Sequence, residues 1–458
     1  MAKRPAPRTR TGTSSGASRG TRSGRANANA NASTDAGAAG TGSSVEAMLL
    51  AAAERGGDSL ETGRYLITFK EGALEDGARS LKARGMRMAD ARDFADQAVE
   101  MDALGDADAV VFAEVGVALV SGPAAAERSL GAAEATADDA TVEIIEPEYF
   151  VFSDDAQGEY LRGFLRATET IARDLGSLPA EMTEDEQAAV LGATWGINAC
   201  KIPPGTRSGL GIRVAVLDTG MDLGHPDFVG RAIVSQSFVG QPVQDLHSHG
   251  THCIGSACGP QAPAGATPRY GAAFRSTIFV GKVLTNAGGG VGGSVIAGMN
   301  WAIANNCHVI SMSLGSQSPV QAAYTNAGQA ALNKGLLIVA AAGNSFGMPT
   351  MAPANSPTIM AVASLDANLM PSNFSNQGKI QIAGPGRDVF SSIPMPRRYG
   401  SKSGTSMATP HVAGCAALWA QTSAALRGQA LWNRLLATAR PLPFPPAKVG
   451  RGLVQAPA

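Results

Sequence analysis

The sequence predicts an α/β protein in which helices cover both faces of a parallel β-sheet, preceded by a small α+β domain. From Trp195 onward, almost continuously apolar runs alternate with segments of helical pattern. Such runs are typical of strands in a parallel sheet that is buried on both faces. The runs are IRVAVLD (212–218), STIFVGKVL (276–284), HVISMSL (308–314), GLLIVAAAGN (335–344) and TIMAVAS (358–364). Helices are expected between them, at Val295–Asn305 and Gln321–Lys334.

The small α+β domain is predicted from the pattern of residues 60–152. RYLITFK (64–70) alternates as a strand does, and an amphipathic helix is expected near Ala73–Arg84. VVFAEVGVALV (110–120) predicts one long strand or two short ones, and TVEIIEPEYFVF (141–152) predicts a strand bent at Pro147. Residues 153–194 are polar and helix-prone, which indicates a helical linker to a main domain at 195–458.

Residues 1–44 consist mainly of Ala, Gly, Ser, Thr, Asn and Arg, a composition that cannot build a packed core. We expect a disordered tail. Its basic residues far outnumber its single acid, Asp35, which leaves two interpretations: an arm that binds nucleic acid or another polyanion, or a solvated tail, which is favoured. The basic residues are Lys3, Arg4, Arg8, Arg10, Arg19, Arg22 and Arg25.

The composition argues against several other classes of protein. The formal net charge is −1, so the chain as a whole offers no electrostatic attraction to nucleic acid or to a membrane. No apolar run reaches the roughly 18 residues of a transmembrane helix, and the N-terminus lacks the apolar segment of a Sec signal peptide. Five scattered cysteines fit a reducing compartment better than a disulfide framework. The location stays unknown, but the cytoplasm is favoured over export by another route.

Four polar residues stand where an α/β sheet places its functional groups, beyond the strands and turns. Asp218 ends VAVLD, His249 lies in HSHGTH, Asn344 ends AAAGN and Ser406 lies in SGTSMATPHVAG. A serine hydroxyl becomes an effective nucleophile when an imidazole takes its proton, and a buried carboxylate stabilises the resulting imidazolium. Ser406 is expected to begin a helix, so that its N–H points toward a developing oxyanion, and the Asn344 amide could donate a second hydrogen bond.

The stretch DLHSHGTHCIGSAC (245–258) suggests a metal site at first, because it holds three histidines and two cysteines. A helical zinc motif needs two histidines four residues apart with a glutamate between them, and His247, His249 and His252 do not meet that condition. We therefore expect no metal. Cys253 lies one helical turn after His249, which leaves two hypotheses: a small buried residue, or a thiol whose modification disturbs the histidine.

Five motifs, taken in order, resemble those of the subtilisin-like serine proteases, or subtilases. They are DTGMDLGHPDF, HGTHCIGS, SMSLGS, AAAGN and SGTSMATPHVAG, and the resemblance extends over roughly residues 195–457. It implies a serine endopeptidase with a subtilisin-like parallel sheet, which forms an acyl-enzyme on its substrate. It also implies that Asp218, His249 and Ser406 are the catalytic triad and that Asn344 is the oxyanion-hole donor.

The resemblance further implies two strips of backbone that bind a polypeptide substrate as an added strand. One strip is Gly288, Gly289 and Gly290, and the other is Ser313, Leu314 and Gly315. Residues 60–152 resemble the inhibitory propeptide of the family, an intramolecular partner whose end lies in the cleft and keeps the protein a zymogen. Calcium is common in the family, but its usual ligands are not matched in this sequence. We predict no cofactor, and a weaker calcium site that uses Asp222 or Asp227 stays open as an alternative.

Two other functions are consistent with parts of the sequence. A binding or scaffolding protein could have a protease fold without activity, but all four catalytic positions are intact. A polyanion-binding protein could act through residues 1–44, in addition to any peptidase activity. Labelling of Ser406 by a fluorophosphonate separates the enzyme from the scaffold, and salt-dependent binding that is lost with residues 1–44 identifies the third function.

Overall fold

A computed structural model of the protein describes residues 44–55, 60–99, 104, 106–127, 140–153, 192–265 and 267–458. The predicted tail, apart from Ser44, and most of the predicted linker (153–194) lie outside the described residues. The boundaries of the four predicted segments therefore stay a prediction. Below, residues 44–153 are called the N-terminal region and residues 192–458 the C-terminal region.

The N-terminal region combines helices with a sheet, as its sequence predicts. Its elements are α1 (Val45–Arg55), β1 (Glu61–Phe69), α2 (Leu74–Ala83), β2 (Met88–Asp90), β3 (Ala109–Phe112), β4 (Val117–Val120), α3 (Gly122–Glu127) and β5 (Val142–Ser153). The strands are arranged in the order β5-β1-β4-β3-β2, antiparallel except for the pair β2–β3. The run 110–120 forms two strands because the chain turns at Gly116, whose φ of 68° favours glycine.

The C-terminal region contains the predicted parallel sheet. Its strands are β6 (Arg213–Asp218), β7 (Ile233–Ser237), β8 (Thr277–Lys282), β9 (Gly289–Val291), β10 (Val309–Met312), β11 (Leu314–Gly315), β12 (Leu337–Ala341), β13 (Met360–Leu365), β14 (Ile382–Pro385), β15 (Val389–Ser392) and β16 (Tyr399–Lys402). The main sheet has the order β14-β13-β12-β10-β6-β8-β7, and every neighbouring pair in it is parallel. The predicted α/β fold with a parallel sheet is confirmed.

Helices of the C-terminal region pack against this sheet. They are α4 (Trp195–Ala199), α5 (His249–Cys258), α6 (Gly292–Ala304), α7 (Ala322–Asn333), α8 (Thr405–Thr422), α9 (Gly428–Thr438) and α10 (Pro446–Val449). Helices α5 and α8 pack on each other and against β6, and α6 and α7 pack on each other. None of the helices within the described ranges is long and apolar enough to cross a lipid bilayer.

The sheet of the N-terminal region buries apolar side chains on both faces. Successive residues of a strand point to opposite faces, so Ile67 packs in a cluster with Leu81 of α2 whereas Leu66 joins the main core of the C-terminal region. Contact with that region is close: a Cβ added to Gly293, in the first turn of α6, would lie 2.7 Å from Leu119. The N-terminal region is therefore packed directly onto helix α6.

Two glutamates of β5 bind the N-termini of two helices in the C-terminal region. Glu148 accepts a hydrogen bond from Gly293 N at 2.6 Å, at the start of α6, and Glu146 accepts one from Ala323 N at 2.8 Å, at the start of α7. The first N–H groups of a helix lack an intrahelical acceptor, and the helix dipole favours a carboxylate at that end. The charge of Glu148 is neutralised by Arg64, with 2.6 Å between Nε and Oε2 and both side chains fully buried.

We expect Glu148→Ala to loosen the N-terminal region, because it removes the carboxylate that neutralises the buried Arg64 guanidinium. Breaking one side of a buried ion pair costs about 3–5 kcal/mol. Hydrogen exchange followed by mass spectrometry should show that the free energy of opening at the amides of β1 and β5 falls by an amount of that order. Glu143→Ala changes an exposed carboxylate on the same strand and is the matched control. Equal protection in the two variants would contradict the stabilising role given to the Arg64–Glu148 ion pair.

Candidate active site

Asp218 and His249 form a buried hydrogen-bonded pair at the carboxyl end of the parallel sheet. Asp218 is the last residue of β6, and His249 is the first residue of α5. His249 Nδ1 lies 2.8 Å from Asp218 Oδ1, and both side chains are almost completely buried. Burial by itself lowers the pKa of His249, but the Asp218 carboxylate raises it, and the net pKa is well above the usual value. The pair therefore stabilises an imidazolium, as a proton carrier requires.

Asp245 holds the turn that leads into His249. Its Oδ1 accepts hydrogen bonds from the backbone N–H groups of His247 at 3.0 Å and Ser248 at 2.9 Å, and its Oδ2 accepts one from Thr251 N at 2.9 Å. Ser248 has a φ of 83°, which is unusual for a residue other than glycine, so the turn needs such support. Asp245 was not among the residues predicted from the sequence, although an acid just ahead of a helix start is a known capping signal.

Ser406 lies in the first turn of α8, next to the pair. Its hydroxyl donates to the Ser313 carbonyl oxygen at 3.3 Å. Cys253 connects the two helices, because its Sγ lies 3.9 Å from His249 Nδ1 and 3.5 Å from the Ser406 carbonyl oxygen. Among the described residues, no partner is hydrogen-bonded to His249 Nε2. His249 Nε2 is therefore the ring nitrogen that is available to accept a proton.

The Asn344 amide is oriented so that its nitrogen can serve as a donor beside Ser406. Asn344 Oδ1 accepts hydrogen bonds from Thr405 N at 2.8 Å and from Thr405 Oγ1 at 3.1 Å, which fixes the oxygen on that side. Asn344 Nδ2 lies close to Gly404, since a Cβ added there would be 2.9 Å from it. Within the described ranges Nδ2 has no acceptor. This N–H donor is thus available to an acceptor placed beside Gly404 and Ser406.

The two predicted substrate-binding strips lie on either side of residues 150–153 of this same chain. On one side, Val151 of β5 pairs with Gly290, Phe152 pairs with Gly289, and Ser153 N donates to the Gly288 carbonyl at 2.7 Å. On the other side, Ser153 pairs with Leu314, and Phe152 pairs with Gly315. All of these strand pairs are antiparallel. The structure therefore brings residues 288–290 and 313–315 together around one strand.

Lys282, which was not predicted from the sequence, connects the loop after Asp218 to the loop that precedes the first of these strips. The buried Lys282 Nζ donates to the Thr219 carbonyl and to Asn286 Oδ1, the latter at 2.9 Å. Burial lowers the pKa of Lys282 to about 8, against the attraction of Asp245 and Asp218. Because Lys282 ends strand β8 inside an apolar run, periodicity alone gave no sign of this role.

Within the described ranges, one group of side chains offers metal-ligand atoms close together. These atoms belong to Asp218, His249 and Cys253 and lie within 4.8 Å of one another. Burial raises the pKa of Cys253 to about 11, so at neutral pH the thiol is protonated and is not an activated nucleophile. His252 faces elsewhere, with Nε2 at 2.8 Å from the Val389 carbonyl oxygen, and His247 lies beside Gly288. Of the three histidines in this stretch, His252 thus contacts Val389, whereas the His247 ring lies 6.2 Å from the His249 ring.

Comparisons with known proteins identify the family to which the chain belongs. The family model described as the subtilase family matches residues 209–452. Subtilisin Savinase from Lederbergia lenta is 39% identical over 254 residues, which cover 54% of this chain and 91% of that protein. Thermitase from Thermoactinomyces vulgaris is 39% identical over 218 residues, which cover 46% of this chain and 76% of that protein. The crystal structure of a cold adapted subtilisin-like serine proteinase aligns with a TM-score of 0.51 and 32% identity, over 58% of this chain and 99% of that one.

The chain belongs to the subtilase family. It is a subtilisin-like serine endopeptidase that acts on polypeptides, and its parallel sheet with flanking helices is the subtilisin-like fold. The family match begins at residue 209 and so includes none of the N-terminal region. The inhibitory role of that region stays a prediction.

We expect a mercurial to inhibit peptidase activity through Cys253, because a mercury atom on its sulfur would crowd the His249 imidazole, 3.9 Å away. Hydrolysis of a chromogenic peptide should fall in the parent protein and persist in Cys253→Ala. Cys258→Ala removes another buried thiol from the same helix and should stay as sensitive as the parent. The same residual activity in the parent and in Cys253→Ala would exclude Cys253 as the target.

Proposed function

We propose that this endopeptidase cleaves peptide bonds with Asp218, His249 and Ser406 through an acyl-enzyme, and that it is made as a zymogen inhibited by its own N-terminal region. The observation that carries the catalytic part is the buried pair of Asp218 Oδ1 and His249 Nδ1, 2.8 Å apart, beside Ser406. The inhibitory part is supported by residues 150–153, which lie where a substrate strand is expected.

The proposed reaction begins with a substrate strand between residues 288–290 and 313–315. His249 Nε2 takes the proton from Ser406 as the hydroxyl oxygen attacks the substrate carbonyl carbon, and Asp218 stabilises the imidazolium. The oxyanion accepts hydrogen bonds from Asn344 Nδ2 and from the Ser406 N–H, which a helix start directs outward. His249 then gives the proton to the leaving amine, and an acyl group stays on Ser406. A water molecule, deprotonated by His249, hydrolyses the acyl group in the reverse sense.

The proposed inhibition uses the same backbone groups as substrate binding. A peptide that adds as a strand gains affinity from main-chain hydrogen bonds, which any sequence can supply. Residues 150–153 form such bonds, with Ser153 N at 2.7 Å from the Gly288 carbonyl oxygen. Glu146 and Glu148, in the same strand, are anchored on helices α7 and α6. A substrate cannot enter between the two strips while this strand remains in place.

We expect Ser406→Ala to abolish both fluorophosphonate labelling and self-cleavage of the full chain, because the nucleophile of both reactions is removed. Labelling is read by mass spectrometry of the intact protein, and cleavage by the appearance of two fragments over time. Ser401→Ala replaces an exposed serine shortly before α8 and should leave both reactions unchanged. Self-cleavage at an undiminished rate in Ser406→Ala would overturn the zymogen proposal.

We expect the first cut to separate Asp154 from Asp155, which lie outside the described residues. Ser153 pairs with Leu314 in an antiparallel register, and a continuation of that register would bring the next residue opposite Ser313. The Ser313 carbonyl is the group that accepts the hydrogen bond from the Ser406 hydroxyl. The carbonyl of Asp154 is therefore the expected target of Ser406.

Mass spectrometry of fragments taken early in the reaction should show an N-terminal fragment that ends at Asp154 and a second that begins at Asp155. Early sampling matters because later trimming can remove residues from either new end. A first cut at any other bond would contradict this register.

A further inference from the structure

Helix α1 covers the outer face of the strand that lies between the two substrate-binding strips. Its apolar residues recur at spacings of three and four, which places them on one face of the helix. On that face Met48 is only 1% exposed. The face consists of Val45, Met48, Leu49 and Ala52, and it packs in one cluster with Phe150 and Phe152 of β5, Val291 of β9 and Val239.

The cluster around α1 is separate from the core of the N-terminal region itself. That core contains Ile67 and Phe69 of β1 with Leu81 of α2, and no residue of α1 belongs to it. Helix α1 instead shares its cluster with Val239 and Val291, which belong to the C-terminal region. Its apolar face therefore packs across the contact between the two regions, while the helix also lies beside β1.

Helix α1 also lies against the strip that begins at Gly288. A Cβ added to Gly289 would lie 3.7 Å from the Phe152 ring and 4.0 Å from Leu49 Cδ1. At the start of the helix, Glu46 Oε1 accepts a hydrogen bond from Gln241 Nε2 at 3.4 Å. The Oε1 of Gln241 in turn accepts one from the backbone N–H of Asn286 at 2.8 Å. One hydrogen-bonded chain thus connects the helix to the loop that carries the strip.

We propose that the C-terminal region has a second docking surface beside its substrate cleft, formed by Val239, Gln241 and Val291, and that helix α1 is its occupant. On this surface α1 acts as a clasp: it holds residues 150–153 in the cleft from outside, while the Val151 side chain packs into the core of the C-terminal region on the inside. The proposal rests on the proposed function, in which this strand is inhibitory. Without the clasp the strand keeps its edge hydrogen bonds but loses the apolar cover of Phe150 and Phe152.

The first test compares Met48→Asp with Leu50→Asp, both in the full chain that carries Ser406→Ala and cannot cut itself. Leu50 is on the opposite side of the same helix and is 63% exposed, so it is the matched control. Hydrogen exchange at the amides of residues 150–153 should be at least tenfold faster with Met48→Asp and unchanged with Leu50→Asp. Met48→Ala, which adds no charge, should also make exchange at residues 150–153 faster, but by a smaller factor than Met48→Asp. The amides of β1 and β4 should keep their protection.

Two results would overturn the proposal. If residues 150–153 exchange equally in Met48→Asp and in Leu50→Asp, α1 does not hold the strand. If β1 and β4 lose protection together with residues 150–153, α1 is part of the core of the N-terminal region and not a separate clasp.

The second test repeats the pair of substitutions with Ser406 intact and follows hydrolysis of a small chromogenic peptide during self-cleavage. Peptidase activity should appear at least tenfold faster with Met48→Asp, while Leu50→Asp should follow the parent. Equal time courses for parent and Met48→Asp, in a chain that does cut itself, would overturn the clasp alone. A parent chain that hydrolyses the peptide fully without any cut would overturn the zymogen proposal instead, and the exchange experiment would still decide whether α1 holds the strand.

Discussion

Strand β5 is shared by both regions of the described molecule, and the arrangement of the cleft depends on that sharing. Its first part pairs with β1 in the sheet of the N-terminal region, and its last residues, 150–153, pair with β9 and β11 of the C-terminal region. Backbone N–H and C=O groups at a strand edge must find partners, from water or from another strand. Because β9 and β11 both pair with β5, one inserted strand supplies hydrogen-bond partners to the backbone of both strands at once.

Gly290 and Gly315, one in each strip, are required because backbone atoms lie directly beneath them. A Cβ added to Gly290 would lie 2.6 Å from the Val283 carbonyl oxygen, and one added to Gly315 would lie 2.5 Å from the Ala352 carbonyl oxygen. Side chains are excluded there by packed backbone, so the strips present mainly main-chain groups to their occupant. Recognition through main-chain groups does not distinguish between the chain's own strand and a foreign peptide, which is why one cleft can serve both inhibition and catalysis under the proposed function.

The parts of the site that the sequence predicted are those with strong local signals. Asp218 ends an apolar run, and Ser406 begins a helix, so both could be placed at the carboxyl edge of the sheet. The contact that orients Asn344 could not be predicted, because Thr405 is 61 residues away along the chain. Strand β7 was missed because IVSQS is a mostly half-exposed edge strand without an apolar run. Helix α1 was missed because it follows a low-complexity tail directly, and its partners, such as Val291, are distant in sequence.

A cut after Asp154 would break none of the contacts that hold the N-terminal region in place. The glutamates on helices α6 and α7, the strand pairs of residues 150–153 and the face of α1 all precede that bond in the chain. Hydrolysis would remove only the advantage of the tether, which gives an attached segment an effective concentration on the order of millimolar. The cleaved region would then be an ordinary ligand, bound as tightly as its contacts allow and diluted into the surrounding solution once it dissociates. Under the proposed function, the appearance of activity is therefore governed by dissociation or destruction of the N-terminal region, because the chemical step leaves its product in the cleft that formed it.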